Sequence, residues 1–486
     1  MSLDQSVSGS PQGSSGRTRV HPVDEVLAPQ KLLIFGLQHL FIMYAGAVAV
    51  PLIVGPAIGL KSHDIAILVS ADLLISGIAT IIQSAGISKL LGVRLPVVAG
   101  ATFTVLNPMI IIATQYGGRT GLPYVYGALL VSGVFGLIIA KPFSMVVRFF
   151  PPLVAGTVIC IIGLSLAGAD ISLIYGNPAA GDRYVGGVGR IALAGLVVLL
   201  ILVISRVFRG FISQIAVLLS LVIGTIVASF MDLVHFSNVS GAQWFGAPQI
   251  FHFGHPKFAG AAIITMCIVM LVTYTESTAD MLAVGELVGK DLTPNDLARG
   301  LATDGLSAVL ASFTNSFPDT AFAENVGLVG LTKIRSRWVV TTCGALLLVM
   351  GLIPKIGQVI ADLPGPVIGG GATVMFAMVT AVGIQTLHKV NFEGNHNLLI
   401  VAASLAVGLL PAFDPQFYSK FPKDFQVIFG SSITATVIVV FVLNLVFNHW
   451  TRGGSGESAV QTAVREGAVA VDVPDGGVRR HEDLPD

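Results

Sequence analysis

The sequence predicts an all-α membrane protein of about 14 transmembrane spans, built as two related halves of seven. Three observations carry this expectation. Hydrophobic residues make up 53% of the 486-residue chain and charged residues only 11%, with a mean hydropathy of +0.83. Soluble domains are nearer a quarter charged. Apolar stretches of about 20 residues, the length that crosses a bilayer as a helix, recur along the chain. Two of these stretches are broken by polar residues, at matching positions in the two halves.

The first span is expected over residues 32–54 and the second over 64–84. The third, 95–113, is interrupted by Arg94-Leu95-Pro96-Val97-Val98-Ala99-Gly100-Ala101-Thr102-Phe103-Thr104. Spans over 121–140, 153–169, 187–205 and 211–230 complete the first half. After a polar, aromatic-rich connection the second half runs through 258–287, 296–312, the broken stretch 315–331, 338–353, 367–387, 398–410 and 431–447.

That second broken stretch, Asn315-Ser316-Phe317-Pro318-Asp319-Thr320-Ala321-Phe322-Ala323-Glu324-Asn325-Val326-Gly327, holds a proline, two carboxylates and several hydroxyl and amide groups. A lipid-facing helix does not tolerate such a mixture. Broken backbone at membrane depth persists only where protein buries it or where it lines a watered cavity. The halves also echo each other elsewhere. Pro152-Leu153-Val154-Ala155-Gly156-Thr157 resembles Pro366-Val367-Ile368-Gly369-Gly370-Gly371, each opening a long apolar span. Seven spans per half is an odd number, so the two halves run in opposite directions. Interrupted spans paired in this way point to a transporter's midplane site.

An even span count puts both termini on one side. Of the 27 Lys and Arg residues, about 19 then fall on the terminal side, which the positive-inside rule makes cytoplasmic. The Ser/Gly-rich start and the stretch after Trp450 read as disordered tails, and no cleavable signal is expected at the start. Cys160, Cys267 and Cys343 all sit in apolar runs and read as packing residues. Neither metal-ligand spacing nor a catalytic nucleophile or cofactor motif stands out, so an enzyme is not expected, and nothing points to nucleic acid.

Few ionisable side chains occur within the spans: His39, Asp72, Glu276, Asp280, Glu286, Asp304, Asp319 and Glu324. A charge at the bilayer centre costs at least about 2.5–3.5 kcal/mol, so each needs a use or a partner. Glu276 and Asp280 are four apart and share a helix face. Around them, Thr273-Tyr274-Thr275-Glu276-Ser277-Thr278 is polar enough to face a cavity. A buried acid of this kind can take up a proton on one side and release it on the other. Asp304 is compatible with a proton network or with structural hydrogen bonding, and His39 with a core role or a ligand contact. Asp72 and Asp319 are compatible with satisfaction by nearby backbone. Glu286 is expected to meet water at a helix end.

At these residues a family resemblance appears. Gln38-His39 with Met43-Tyr44-Ala45-Gly46-Ala47-Val48-Ala49-Val50-Pro51 resembles the first span of the nucleobase–ascorbate transporters, also called nucleobase:cation symporters. Glu324-Asn325-Val326-Gly327 with Thr332, Lys333, Ser336 and Arg337 is similar to that family's signature motif. Thr275-Glu276-Ser277-Thr278-Ala279-Asp280 is similar to its eighth-span motif.

The resemblance implies short β-strands in the third and tenth spans, centred on Thr102-Phe103 and Ala323-Glu324. It also implies a core domain (residues 31–141 and 258–360) moving against a gate domain (142–257 and 361–450), usually in a homodimer, with tails at 1–30 and 451–486. Carried over residue by residue, Glu276 and Glu324 accept hydrogen bonds from ring N–H groups of a base. Phe103 supplies its backbone N–H and its ring beside Thr102, and the Ala323 backbone takes a carbonyl oxygen. Asn325 braces the motif and Gly46 sits close to the base. Proton coupling falls to Glu276, Asp304, Asp280 and His39, without cofactor or metal.

Two departures qualify this. Xanthine and urate permeases of the family commonly carry glutamine where Glu324 stands, and Asp280 stands where uracil permeases carry histidine. The first-span wording, the 315–318 lead-in and Asp280 favour xanthine or urate. A uracil permease is the nearest alternative, and an anion exchanger or channel of the same architecture is the next.

Overall fold

The computed structural model describes residues 21–87, 89–146, 151–176, 186–234, 236–393 and 395–450. Residues 1–20 and 451–486, expected to be disordered, lie outside these. Residues 21–30, within the expected N-terminal tail, are among the described residues. Pro22–Asp24 forms a 3-10 turn with Val23 fully buried. Arg337 Nε donates to Asp24 Oδ1 at 2.6 Å and Trp338 Nε1 donates to the Asp24 carbonyl at 3.3 Å. The same guanidinium donates to the carbonyls of Ser84 and Ala85, which a helix end leaves without partners.

The chain is mostly helical. Helices α1 (Pro29–Ala57) and α2 (Ser62–Ala85) lead into strand β1 (Ala99–Ala101), then α3 (Leu106–Gln115) and α4 (Leu122–Val146). The expected span at 153–169 divides at Leu166 into α5 (Pro152–Ser165) and α6 (Ala167–Tyr175). Next come α7 (Val188–Val207), the short α8 (Phe211–Gln214) and α9 (Ala216–Phe230). The second half opens with α10 (Gly260–Val288) and α11 (Pro294–Thr314), followed by β2 (Asp319–Ala321) and α12 (Ala323–Thr332). It closes with α13 (Arg337–Gly351), α14 (Pro354–Ala361), α15 (Gly365–Leu387), α16 (Asn397–Phe413), α17 (Lys423–Phe429) and α18 (Ser432–Asn444).

Seven described helices are long and apolar enough to cross a membrane, or up to nine if each bent pair is one span. The bends, 82° between α13 and α14 and 78° between α17 and α18, were not anticipated. The difference from about fourteen arises where helices are short or charged, and α9 and α16 have 15 and 17 residues. Helices α3 and α12 have only 10 residues each, and α11 carries Asp296, Arg299 and Asp304.

The two strands pair antiparallel, with Ala99 opposite Ala321, Gly100 opposite Thr320 and Ala101 opposite Asp319. Thr102 N–H to the Pro318 carbonyl (3.0 Å) and Phe322 N–H to the Val98 carbonyl (2.9 Å) extend the pairing at both ends. Each broken segment thus satisfies the other's backbone at membrane depth. The strands are centred on Gly100 and Thr320, earlier in the chain than the expected Thr102-Phe103 and Ala323-Glu324. The Thr102 side chain accepts from Thr104 N–H at 3.2 Å, and this cap starts a 3-10 turn at Phe103 that leads into α3. Likewise Phe322 is the cap residue of α12, so Ala323-Glu324 is helix rather than strand.

The helices pack in two groups. In one, α2 lies on α13 and α14, and α4 lies on α10 and α11; in the other, α15 is surrounded by α5, α6, α7 and α9. Close approach within the first group needs Gly77. A Cβ there would lie 2.5 Å from the backbone nitrogen of Leu348, while one at Gly344 would lie 2.9 Å from the Gly77 carbonyl. Gly77→Val forces α2 and α13 apart, and overpacking of this kind costs about 1–3 kcal/mol or more. The expected outcome is a clear fall in the thermal midpoint of the detergent-purified protein; an unchanged midpoint would contradict this contact. Between the groups, Ala45, Val48 and Ala49 of α1 face Gly371, Ala372 and Met375 of α15 across a narrow crevice.

Candidate substrate-binding site

The site is organised by one polar turn of α10. The hydroxyls of Thr273, Thr275 and Thr278 return to carbonyls of their own helix. Glu276 and Ser277 are left to reach outward, each toward a different broken segment. Thr104 Oγ1 donates to Glu276 Oε1 at 2.8 Å, and Thr102 Oγ1 donates to Oε2 at 3.2 Å. Ser277 Oγ meets Thr320 Oγ1 at 2.9 Å and accepts from Ala321 N–H at 3.0 Å. One helix therefore holds both strand-to-helix turns.

These turns present the N-termini of two helices, where the first backbone N–H groups lack intrahelical partners and favour an electron-rich ligand. Ala323 and Glu324, in the first turn of α12, are exposed, while Glu276, Asp280 and Phe103 are half-buried. Asp280 lies within electrostatic reach of both Glu276 and Glu324. The three acids expected from sequence are thus brought together. The Phe103 ring packs edge-on against Phe376 of α15, with centroids 5.5 Å apart at 88°. The site therefore opens at the seam between the two helix groups.

The other expected residues lie further back. Gly46 is buried against Phe322, where a Cβ would stand 2.6 Å from that ring and 3.9 Å from Phe103. Asn325 Nδ2 is 3.0 Å from both the His39 carbonyl and His39 Nδ1, so α12 is tied to α1. Asp304 is fully buried and accepts from Gln83 Nε2 at 3.0 Å. His39 and Asp304 are therefore held by other protein groups, Asn325 and Gln83.

Thr104, Ser277, Phe322 and Phe376 were not singled out from sequence. The first three fall within or beside polar stretches already noted. Phe376 carries no sequence signal, because only folding sets α15 against the third segment.

A membrane protein whose two interrupted segments meet at a polar, carboxylate-lined seam is a multi-pass transporter. Residues 30–417 match the family model described as "Permease family". The uric acid transporter UacT of Escherichia coli (strain K12) is 40% identical over 437 residues, 90% of this chain and 90% of that protein. The xanthine permease of Bacillus subtilis (strain 168) is 39% identical over 439 residues, 90% of this chain and 99% of that protein. Among solved structures, the transmembrane domain of the cyanobacterial bicarbonate transporter BicA shares the fold. Its TM-score is 0.60 at 15% identity, over 85% of this chain and 97% of that one. The chain belongs to this permease family, the nucleobase:cation symporters or nucleobase–ascorbate transporters, and resembles its bacterial xanthine and uric acid permeases.

Proposed function

We propose that this chain is a proton-coupled secondary transporter that imports a nucleobase, xanthine or uric acid, by alternating access. The observation that carries the reading is Glu276, an intramembrane carboxylate held by Thr102 and Thr104 at the mouth of two helix N-termini. A carboxylate only accepts hydrogen bonds, so it selects ring N–H groups, whereas backbone N–H groups select carbonyls. An oxidised purine offers both on one flat edge. Glu324 supplies a second acceptor, Phe103 its ring and N–H beside Thr102, and the Ala323 backbone a contact for a carbonyl oxygen. Asp280 completes the acidic cluster through which a proton enters with the base.

In this reading, spans one to four and eight to eleven (31–141, 258–360) form the core, and 142–257 with 361–450 form the gate. The small residues between α1 and α15 let one slide past the other. Both termini are cytoplasmic, about fourteen spans cross the membrane when the broken segments are counted, and the working unit is a homodimer.

Competition of unlabelled xanthine, urate, uracil, guanine and ascorbate against radiolabelled xanthine uptake tests the substrate. Xanthine and urate should compete most strongly, and stronger competition by uracil would move the reading to the pyrimidine side.

Asp304 tests the coupling. Bonded to Gln83 rather than to the open site, it should affect the transport cycle more than the binding step. Asp304→Asn is expected to keep base affinity within about threefold, while uptake falls by tenfold or more. Equal losses in both measurements would make it a folding residue or a direct contact.

A further inference from the structure

We propose that one face of α3 and the bent pair α17–α18 form a seal over one mouth of the candidate site, latched by Asn107 and Gln115. Phe103, Asn107, Ile111 and Gln115 are spaced four apart, so they line one face as the chain leaves the site. Each meets the 361–450 part of the chain. The Phe103 ring packs on Phe376. Asn107 Oδ1 accepts from Ser432 N–H at 3.2 Å. A Cβ on Gly430 would stand 3.8 Å from Ile111 Cγ2. Gln115 Nε2 donates to Gln426 Oε1 at 3.0 Å. At the end of the stripe, Lys423 Nζ lies 3.9 Å from the centre of the Tyr116 ring.

Both latches are held in place by their surroundings. Ser432 opens α18, so its N–H is one of the first-turn groups that no intrahelical carbonyl reaches, and Asn107 satisfies it from another segment. The Gln426 amide is fixed in orientation. Its Nε2 donates to the Ser419 carbonyl at 3.1 Å and to the Phe421 carbonyl at 2.7 Å, which leaves Oε1 for Gln115. The elbow also rests on α10, upstream of Glu276, where Thr265 Oγ1 donates to the Val427 carbonyl at 3.5 Å.

The two ends of α2 show which mouth is covered. Arg119, just past α3, donates to Asp64 in the first turn of α2 at 2.9 Å. Arg337, which holds Asp24, donates to the Ser84 and Ala85 carbonyls at the other end. Helix α3 thus runs from the site toward the side opposite the Pro22–Asp24 segment, and the seal lies on that side. Under the alternating-access reading, on which this depends, a base entering there needs the stripe to part. Hydrogen bonds between neutral groups are readily exchanged for bonds to water. The latches therefore set how often that mouth opens.

The test places a cysteine at Ala323, exposed in the first turn of α12. The full-length protein, in sealed vesicles of each orientation and without base, is labelled with a membrane-impermeant maleimide. The parent chain, with Cys160 and Cys343 buried and Cys267 half-buried, gives the background. Ala323→Cys should react faster from the side bearing the Pro22–Asp24 segment. Adding Asn107→Ala or Gln115→Ala should raise the rate from the opposite side about fivefold, the effect of losing one neutral hydrogen bond. Asn107→Asp keeps an acceptor for Ser432 N–H and should leave that rate unchanged. Should Asn107→Ala fail to accumulate, Gln115→Ala decides alone. Faster reaction from the opposite side before either truncation, a rate that the truncations leave unchanged, or an equal rise with Asn107→Asp overturns the seal. Labelling uses no base and measures no uptake, so the substrate reading stands or falls separately in the competition assay.

Discussion

Glu276→Gln is expected to abolish concentrative base uptake while leaving the protein in the membrane at normal levels. The amide keeps the size of the side chain, so packing in α10 is preserved. It loses the charge, and one of its two oxygens becomes an NH2 group. That group cannot accept from Thr102 or Thr104, whose hydroxyls now donate to Oε2 and Oε1. A ring N–H of the base likewise loses a charged acceptor. A hydrogen bond to a charged group contributes about 1.5–3 kcal/mol, or roughly 10- to 150-fold in binding. If the coupled proton is carried here as proposed, accumulation is lost altogether. Uptake of labelled base, normalised to membrane-resident protein, is the measurement. Near-normal accumulation would remove Glu276 from the mechanism.

Glu324→Gln is expected to shift preference toward urate by about tenfold. Glu324 is exposed in the first turn of α12, and Asp280 feels both its charge and that of Glu276. Urate is an anion near neutral pH, whereas xanthine is largely neutral. Removing one negative charge therefore relieves urate selectively by about the 1.4 kcal/mol that corresponds to tenfold. The glutamine keeps an acceptor oxygen for a ring N–H, so xanthine loses less. Inhibition constants for urate and xanthine, measured on both proteins, give the ratio. A ratio that is unchanged, or that moves toward xanthine, would show that charge at this position is not the selector.

Much of the candidate site was legible because polar groups in a membrane span have so few explanations. Glu276, Asp280 and Glu324 are conspicuous against an apolar background, and the interruptions at 95–113 and 315–331 stand out for the same reason. Spacing also placed Glu276 and Asp280 on one face of a helix. What spacing could not supply was the direction of each contact. Neighbours in sequence, Glu276 and Ser277, turn to different segments. Asn325 and His39, far apart in the chain, meet.

The chain by itself determined that this is a helical membrane protein with two paired interruptions, because hydropathy and length constrain a lipid-embedded chain strongly. Only the tertiary structure decided where each interruption ends and what completes it. The first strand stops at Ala101, where Thr102 caps the 3-10 turn that follows, and the second at Ala321, with α12 beginning directly after Phe322. A local propensity scale does not specify such a boundary, since the competing hydrogen bonds come from the other half of the molecule. The same holds for Phe376 against Phe103 and for the ordered segment at Pro22–Asp24. Each depends on contacts between residues far apart in the chain, and such contacts leave no periodic trace in the sequence.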